Sequence, residues 1–144
     1  FTPSILSEYA ARYLVNPSNI RSPYMTIGFE TVPEHRKDII AALHPGDFSA
    51  RPQFVEQETN PEYWDLIEAF RKISGIPALL NTSLNLHGEP MNYSISDAVR
   101  TLVRSELDLL LLPGKRLLYK KRVSKRLSNV LAELVNGIEA RKAD

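Results

Sequence analysis

The sequence predicts an α/β (α+β) domain in which helices pack on a sheet, and three observations carry that prediction. Segments with helical apolar spacing alternate with short apolar runs bounded by Pro and Gly, the order that builds layered helix-and-sheet folds. The length of 144 residues suits one domain of ordinary size. With 43% hydrophobic and 24% charged residues, the chain can bury a core and lacks the composition of a disordered segment.

Taken in order, Phe1-Thr2-Pro3-Ser4 has no initiator Met and no polar lead-in, and reads as the inside of a longer protein. A short helix is expected next, capped by Ser4, with Ile5, Leu6, Tyr9, Ala10, Tyr13 and Leu14 on one face. After Asn16-Pro17-Ser18-Asn19, the alternation of Met25, Ile27 and Phe29 with Thr26, Gly28 and Glu30 predicts a strand from Tyr24 to Val32. Pro33-Glu34 opens a helical stretch to about Leu43, with Ile39, Ile40 and Leu43 inward. His44-Pro45-Gly46-Asp47 is a turn, and Ala50 to Val55 a strand that Pro52 confines to an edge or bulge.

The best-signalled helix follows: Asn60 as cap, Pro61 at the first position, Trp64, Ile67 and Phe70 at helical spacing, and Gly75 as terminator. Ile76 to Leu80 reads as a short strand buried on both faces. A polar loop runs from Asn81 to Pro90, then a helix starts at Ser96-Asp97 with Ala98, Leu102 and Val103 inward. The run Asp108 to Leu112 predicts a buried strand ending at the Pro113-Gly114 turn, and Leu117 to Tyr119 a last strand. From about Ser124 to Arg141 the stripe Leu127, Val130, Leu131, Leu134, Val135 and Ile138 predicts an amphipathic helix, expected to pack on the sheet or on a partner.

Composition removes several kinds of function. There is no Cys, hence no disulfide, thiolate nucleophile or Cys-based zinc site, and no two of the three histidines stand at helical ligand spacing. No apolar run approaches the roughly 18 residues of a membrane span and no signal-peptide pattern is present, so a cytoplasmic chain with no membrane partner is expected. Charge is unevenly placed: residues 115–126 hold seven basic side chains and no acidic one, leaving 11 basic against 17 acidic elsewhere. Such a segment is either a phosphate or nucleic-acid contact or a solvated helix start beside an acidic neighbour. Tyr119 is its single aromatic, which weighs against stacking on a nucleic acid.

The loop Asn81 to Pro90 is the passage most suited to binding. It gathers amides, hydroxyls, an imidazole and a carboxylate directly after an apolar strand, where α/β sheets place their ligands. Uncharged donors of this kind suit phosphate oxygens or a urea-like group, although Asn and Ser also simply satisfy their own turns.

The stretch Leu79-Leu80-Asn81-Thr82-Ser83-Leu84-Asn85-Leu86-His87-Gly88-Glu89-Pro90 resembles the signature loop LLNTSFNxxGEP of the NodU/CmcH O-carbamoyltransferases. Phe1-Thr2-Pro3-Ser4 is similar to that family's FAPS, and His44 to Gln53 to its H-x-D-G-T-x-R-x-Q pattern. Ser22-Pro23-Tyr24-Met25, Asn60-Pro61, Gly75-Ile76-Pro77 and Asp97-Ala98 agree in the same order. The departures are Phe48-Ser49 for Gly-Thr and Leu84 for Phe. The resemblance implies a YrdC-like twisted sheet with packed helices over residues 1–122, its start truncated; the tail from Val123 has no counterpart in it, and residues 123–144 stand apart as the amphipathic helix read from their apolar stripe.

It further implies the C-terminal part of an enzyme that makes carbamoyl-adenylate from carbamoyl phosphate and ATP with Mg²⁺. An N-terminal ASKHA-like domain of the same protein, holding its own metal, would pass the carbamoyl group to a hydroxyl acceptor. By position, Arg51, Asn81, Thr82, Ser83 and Asn85 are implied to contact ATP or carbamoyl phosphate, while His87 is expected at the surface and Glu89 as a turn anchor. A Lys and an Arg from an early strand are implied upstream of Phe1, so the segment alone is expected to be weak or inactive. A non-catalytic nucleotide- or RNA-binding YrdC-like module is the alternative, and a homo-oligomer is compatible with either.

Overall fold

A computed structural model describes residues 1–114 and 116–120, and the backbone of 139–142. It resolves into two compact units, Phe1–Thr82 and Ser83–Asp144.

The first unit is built on a three-stranded sheet ordered β2-β1-β3, with β1 at Thr2–Leu6, β2 at Gln53–Val55 and β3 at Ala78–Asn81. β1 runs parallel to β2 and antiparallel to β3, with Ile5 opposite both Phe54 and Ala78. Strand alternation sends successive side chains to opposite faces. Ile5 and Ala78 therefore join Tyr13, Leu14, Phe29, Ile39 and Leu43 in one core. Leu6, Val55 and Ile67 form the other, flanked by Tyr63, Trp64 and Leu79. The helix α3, Pro61–Ser74, covers this second face and ends on Gly75, whose φ of 77° suits the left-handed cap.

β1 corrects the helix expected from Ser4. The spacing of Ile5, Leu6, Tyr9 and Ala10 fits a helical stripe, but residues 3–6 are all buried between two neighbouring strands and two cores. A helix would show those residues to one side only. Pro3 is tolerated because pairing with β2 begins at Ser4, so no N–H is missed in that ladder. Helix survives only as a 3₁₀ turn, Ser7–Tyr9, and α1, Ala10–Tyr13.

Other expectations shift too. Residues 24–32 form no strand: Met25 turns left-handed at φ 58°, and only single bridges, Leu14 to Thr31 and Phe29 to Ala50, tie the segment down. The stretch 33–42 is helical but broken into 3₁₀ turns around α2, Arg36–Ile39, and Ile40 points outward at 53% exposure. β2 is an edge strand, as Pro52 requires. β3 is also an edge strand, so Leu80 is 51% exposed rather than buried on both faces. Asn60 stands at the N-cap of α3, but its side chain makes no capping bond.

In the second unit α4, Ile95–Arg104, begins one residue before the expected Ser96. Ser94 and Asp97 close a reciprocal capping box there. Ala98 and Leu102 pack with Leu110, while Val103 is 57% exposed, not inward. β4, Leu109–Leu112, pairs antiparallel with β5, Arg116–Tyr119, and β5 pairs parallel with β6, Glu139–Lys142. The helix expected over 124–141, and the boundary expected at 122–123, fall largely outside the described residues; 139–141 are strand instead. Of the basic run, Arg116 Nε donates to the Pro113 carbonyl at 3.1 Å, within its own hairpin, and Lys120 Nζ to the carbonyl of Ser105, the C-cap of α4. No helix among the described residues is long and apolar enough to cross a membrane.

Candidate functional site

The register brings three polar side chains into line on the α3-covered face of the first sheet. Ser4 lies opposite Gln53, and Asn81 opposite Thr2, two residues along the same face. Asn81 Nδ2 donates to Ser4 Oγ at 2.9 Å and to Gln53 Oε1 at 3.0 Å, and Ser4 Oγ donates to Gln53 Oε1 at 3.0 Å. Met25 Sδ stands 3.5 Å from the same amide nitrogen. Ser4 is fully buried, so the partners are obligatory: an unpaired hydroxyl there would carry its whole desolvation cost. Tyr63 joins from α3; burial pushes its phenol up, partly offset by its hydrogen bond with Ser4. Ser4, Met25, Gln53 and Asn81, distant in sequence, thus meet at the carboxyl end of β3.

Of the residues expected at the site, Asn81 belongs to this cluster. Ser4, Gln53 and Tyr63 were not identified from sequence. The first two lie inside stretches that resemble the family, which was the available signal, whereas Tyr63 reads as one more aromatic on a helix.

Arg51 occupies a separate cleft of about 520 Å³, lined also by Gly28, His44, Asp47 and Ser49. Its carbonyl accepts from the Thr2 hydroxyl. Among the described residues no hydrogen bond or ion pair engages its guanidinium, which faces solvent. The approach to it is a tight turn. Ser49 N–H donates to Asp47 Oδ1 at 2.8 Å, and that bond is the main reason the carboxyl sits below its ordinary range. His44 Nδ1 lies 3.2 Å from the same oxygen. Phe48 takes φ 59°, the left-handed region that a glycine would enter freely. Thr31 Oγ1 donates to its carbonyl at 2.7 Å, and Arg36 stacks 5.2 Å from its ring centroid, which together hold the turn.

Thr82 is exposed and closes the first unit. Ser83 and Asn85 open the second unit and bind one another, Ser83 Oγ donating to Asn85 Oδ1 at 2.6 Å. Asn85 Nδ2 donates to the carbonyls of Leu86 and Glu89 at 3.1 and 2.9 Å, so its amide clamps the loop across Gly88, at φ 80°. Glu89 pairs with Arg104 at 2.9 Å and Arg100 at 3.7 Å, tying the loop to α4, and His87 is exposed. Among the described residues no group of three or more His, Asp or Glu could hold a metal ion.

Comparison with known proteins bears on the same residues. Nodulation protein NolO of Bradyrhizobium diazoefficiens is 40% identical over 109 residues, covering 75% of this chain and 20% of that protein. Nodulation protein NolNO of Sinorhizobium fredii is 38% identical over 125 residues, 86% of this chain and 18% of the relative. An uncharacterized protein of Methanocaldococcus jannaschii is 37% identical over 112 residues, 78% of this chain and 21% of its own length. The chain spans about a fifth of the length of these relatives. The family model for the carbamoyltransferase C-terminus matches residues 1–120, a span that takes in the Ser4–Gln53–Asn81 cluster, the Arg51 cleft and the 81–90 loop alike. The chain therefore belongs to the carbamoyltransferase C-terminus family.

Proposed function

We propose that this chain is the C-terminal part of an O-carbamoyltransferase and helps to form carbamoyl-adenylate from carbamoyl phosphate and ATP. Hydrolysis of carbamoyl phosphate gives carbamate and inorganic phosphate. A carbamate oxygen then attacks the α-phosphorus of ATP, forming one P–O bond as the α–β bridge breaks and pyrophosphate leaves. Transfer to a hydroxyl acceptor, with loss of AMP, would fall to an N-terminal ASKHA-like domain of the same protein. Mg²⁺ would arrive with ATP as part of the substrate.

The observation that carries the reading is the Ser4–Gln53–Asn81 cluster, because residues from separate family-like stretches meet there at 2.9–3.0 Å. Chemistry of this kind asks for positioning and for neutralised phosphate charge rather than for strong acid–base groups. Arg51 offers a guanidinium with free donors, suited to bidentate phosphate contact. Asn81, Thr82 and Ser83 offer uncharged donors and acceptors, and Asn85 shapes the loop that presents Ser83. Mass spectrometry of the whole protein with carbamoyl phosphate and ATP should detect carbamoyl-AMP together with pyrophosphate. Release of ADP or phosphate from ATP, with no pyrophosphate, would count against the reading.

A further inference from the structure

The hydrogen-bond pattern fixes which way the Asn81 amide faces. Its Nδ2 carries two hydrogens, and both are taken, one by Ser4 Oγ and one by Gln53 Oε1. Gln53 Oε1 is held in place by a second donor, the Ser4 hydroxyl. With its one proton committed to Gln53, Ser4 accepts from Asn81. Each member restricts the others, and Ser4 has no room to turn, being fully buried. Reversing either amide alone would set like atoms against each other, and reversing both would turn the Asn81 oxygen onto the Met25 sulfur, an acceptor that lies 3.5 Å from Nδ2.

We propose that Ser4 and Gln53 are positioning residues that lock the Asn81 side chain with its carbonyl oxygen turned away from the sheet, poised to accept from an N–H donor of the carbamoyl group. The proposal rests on the carbamoyl-adenylate reading above and adds to it the side chains that set this orientation. A carbamoyl NH₂ is a donor that a simple carboxylate such as acetate lacks. An Asn oxygen held in advance therefore separates carbamate from acetate, whereas a freely turning amide could present its own NH₂ to acetate instead. Gln53 is the appropriate lever because a carboxylate in its place keeps the acceptor that Asn81 and Ser4 need, and a leucine does not.

The test is steady-state kinetics on the whole transferase, following pyrophosphate release with carbamoyl phosphate as the donor. Gln53→Leu should raise the KM for carbamoyl phosphate about tenfold or more and leave the KM for ATP within about threefold, the loss expected when one neutral hydrogen bond goes astray. Ser4→Ala should act in the same direction. Gln53→Glu should restore the carbamoyl-phosphate KM to within about threefold of the parent at neutral pH, which mere loss of stability would not do. Equal changes in both KM values, or parental kinetics in Gln53→Leu, would overturn the positioning role alone. A parent protein that releases no pyrophosphate would overturn the carbamoyl-adenylate reading and this proposal together.

Discussion

Phe48 shows how a single residue can hold a site's shape against its own preference. Left-handed backbone costs an ordinary L-residue about 1–2 kcal/mol, and here it is offset by the Thr31 hydrogen bond and the Arg36 stack. At most positions Ala is more stable than Gly; at 48 the order should reverse. Phe48→Gly is expected to be more stable than Phe48→Ala by about 0.5–1 kcal/mol, the strain relieved less the entropy that Gly loses on folding. Denaturant unfolding of the two variants decides it, and Ala equal to or above Gly would mean that the turn is not strained. Arg51 follows directly after this turn. If its guanidinium meets phosphate, Arg51→Ala should weaken ATP or carbamoyl-phosphate binding about 10- to 150-fold, the range for a lost charged hydrogen bond. Calorimetric titration with unchanged affinity would remove Arg51 from the site. The identity of Arg51 and Asn81 could be read from sequence because motif resemblance points at single residues. Ser4 and Gln53 could not, because their importance arises only when β1 and β2 come into register.

Elements differ in how much of themselves they carry locally. α3 has a proline at its first turn, an apolar stripe and a glycine terminator, and it forms where those signals place it. α4 has the strongest local signal of all, the reciprocal bonds between Ser94 and Asp97. Ser94→Ala should cost about 1 kcal/mol, read from thermal or denaturant unfolding. The Asp97 carboxyl is held below its ordinary value of 3.8, first by the Ser94 hydroxyl and then by the Ser94 N–H. A depressed folded value means that the stabilisation is complete above the ordinary value and is lost as pH falls through the lowered one. Acid titration followed by circular dichroism should therefore show a loss of helix that Asp97→Asn makes much shallower. β1 is the opposite case. Nothing within Thr2–Leu6 distinguishes strand from helix, and its burial on both faces comes from partners about 50 and 75 residues away in sequence. Residues 24–32 fail in the reverse direction: their alternation is that of a strand, but no neighbour offers a full ladder, and Met25 breaks the run with a left-handed turn.

At the scale of the whole molecule, a compact sheet gathers distant stretches of chain around one amide, while Arg51 waits in its own cleft nearby in sequence to β2. The general class, helices packed on small sheets, was legible from the alternation of elements. The division into units at Thr82 and Ser83 was not, because the loop that spans it reads as one continuous motif. Activation of carbamate by adenylation, as proposed, is a property of the whole protein. The direct test is isotope exchange between labelled pyrophosphate and ATP in the whole protein, without any hydroxyl acceptor. Adenylation should give exchange that depends strictly on carbamoyl phosphate and falls at least tenfold in Arg51→Ala. Exchange that proceeds without carbamoyl phosphate, or none in its presence while the protein still transfers carbamoyl groups, would contradict it.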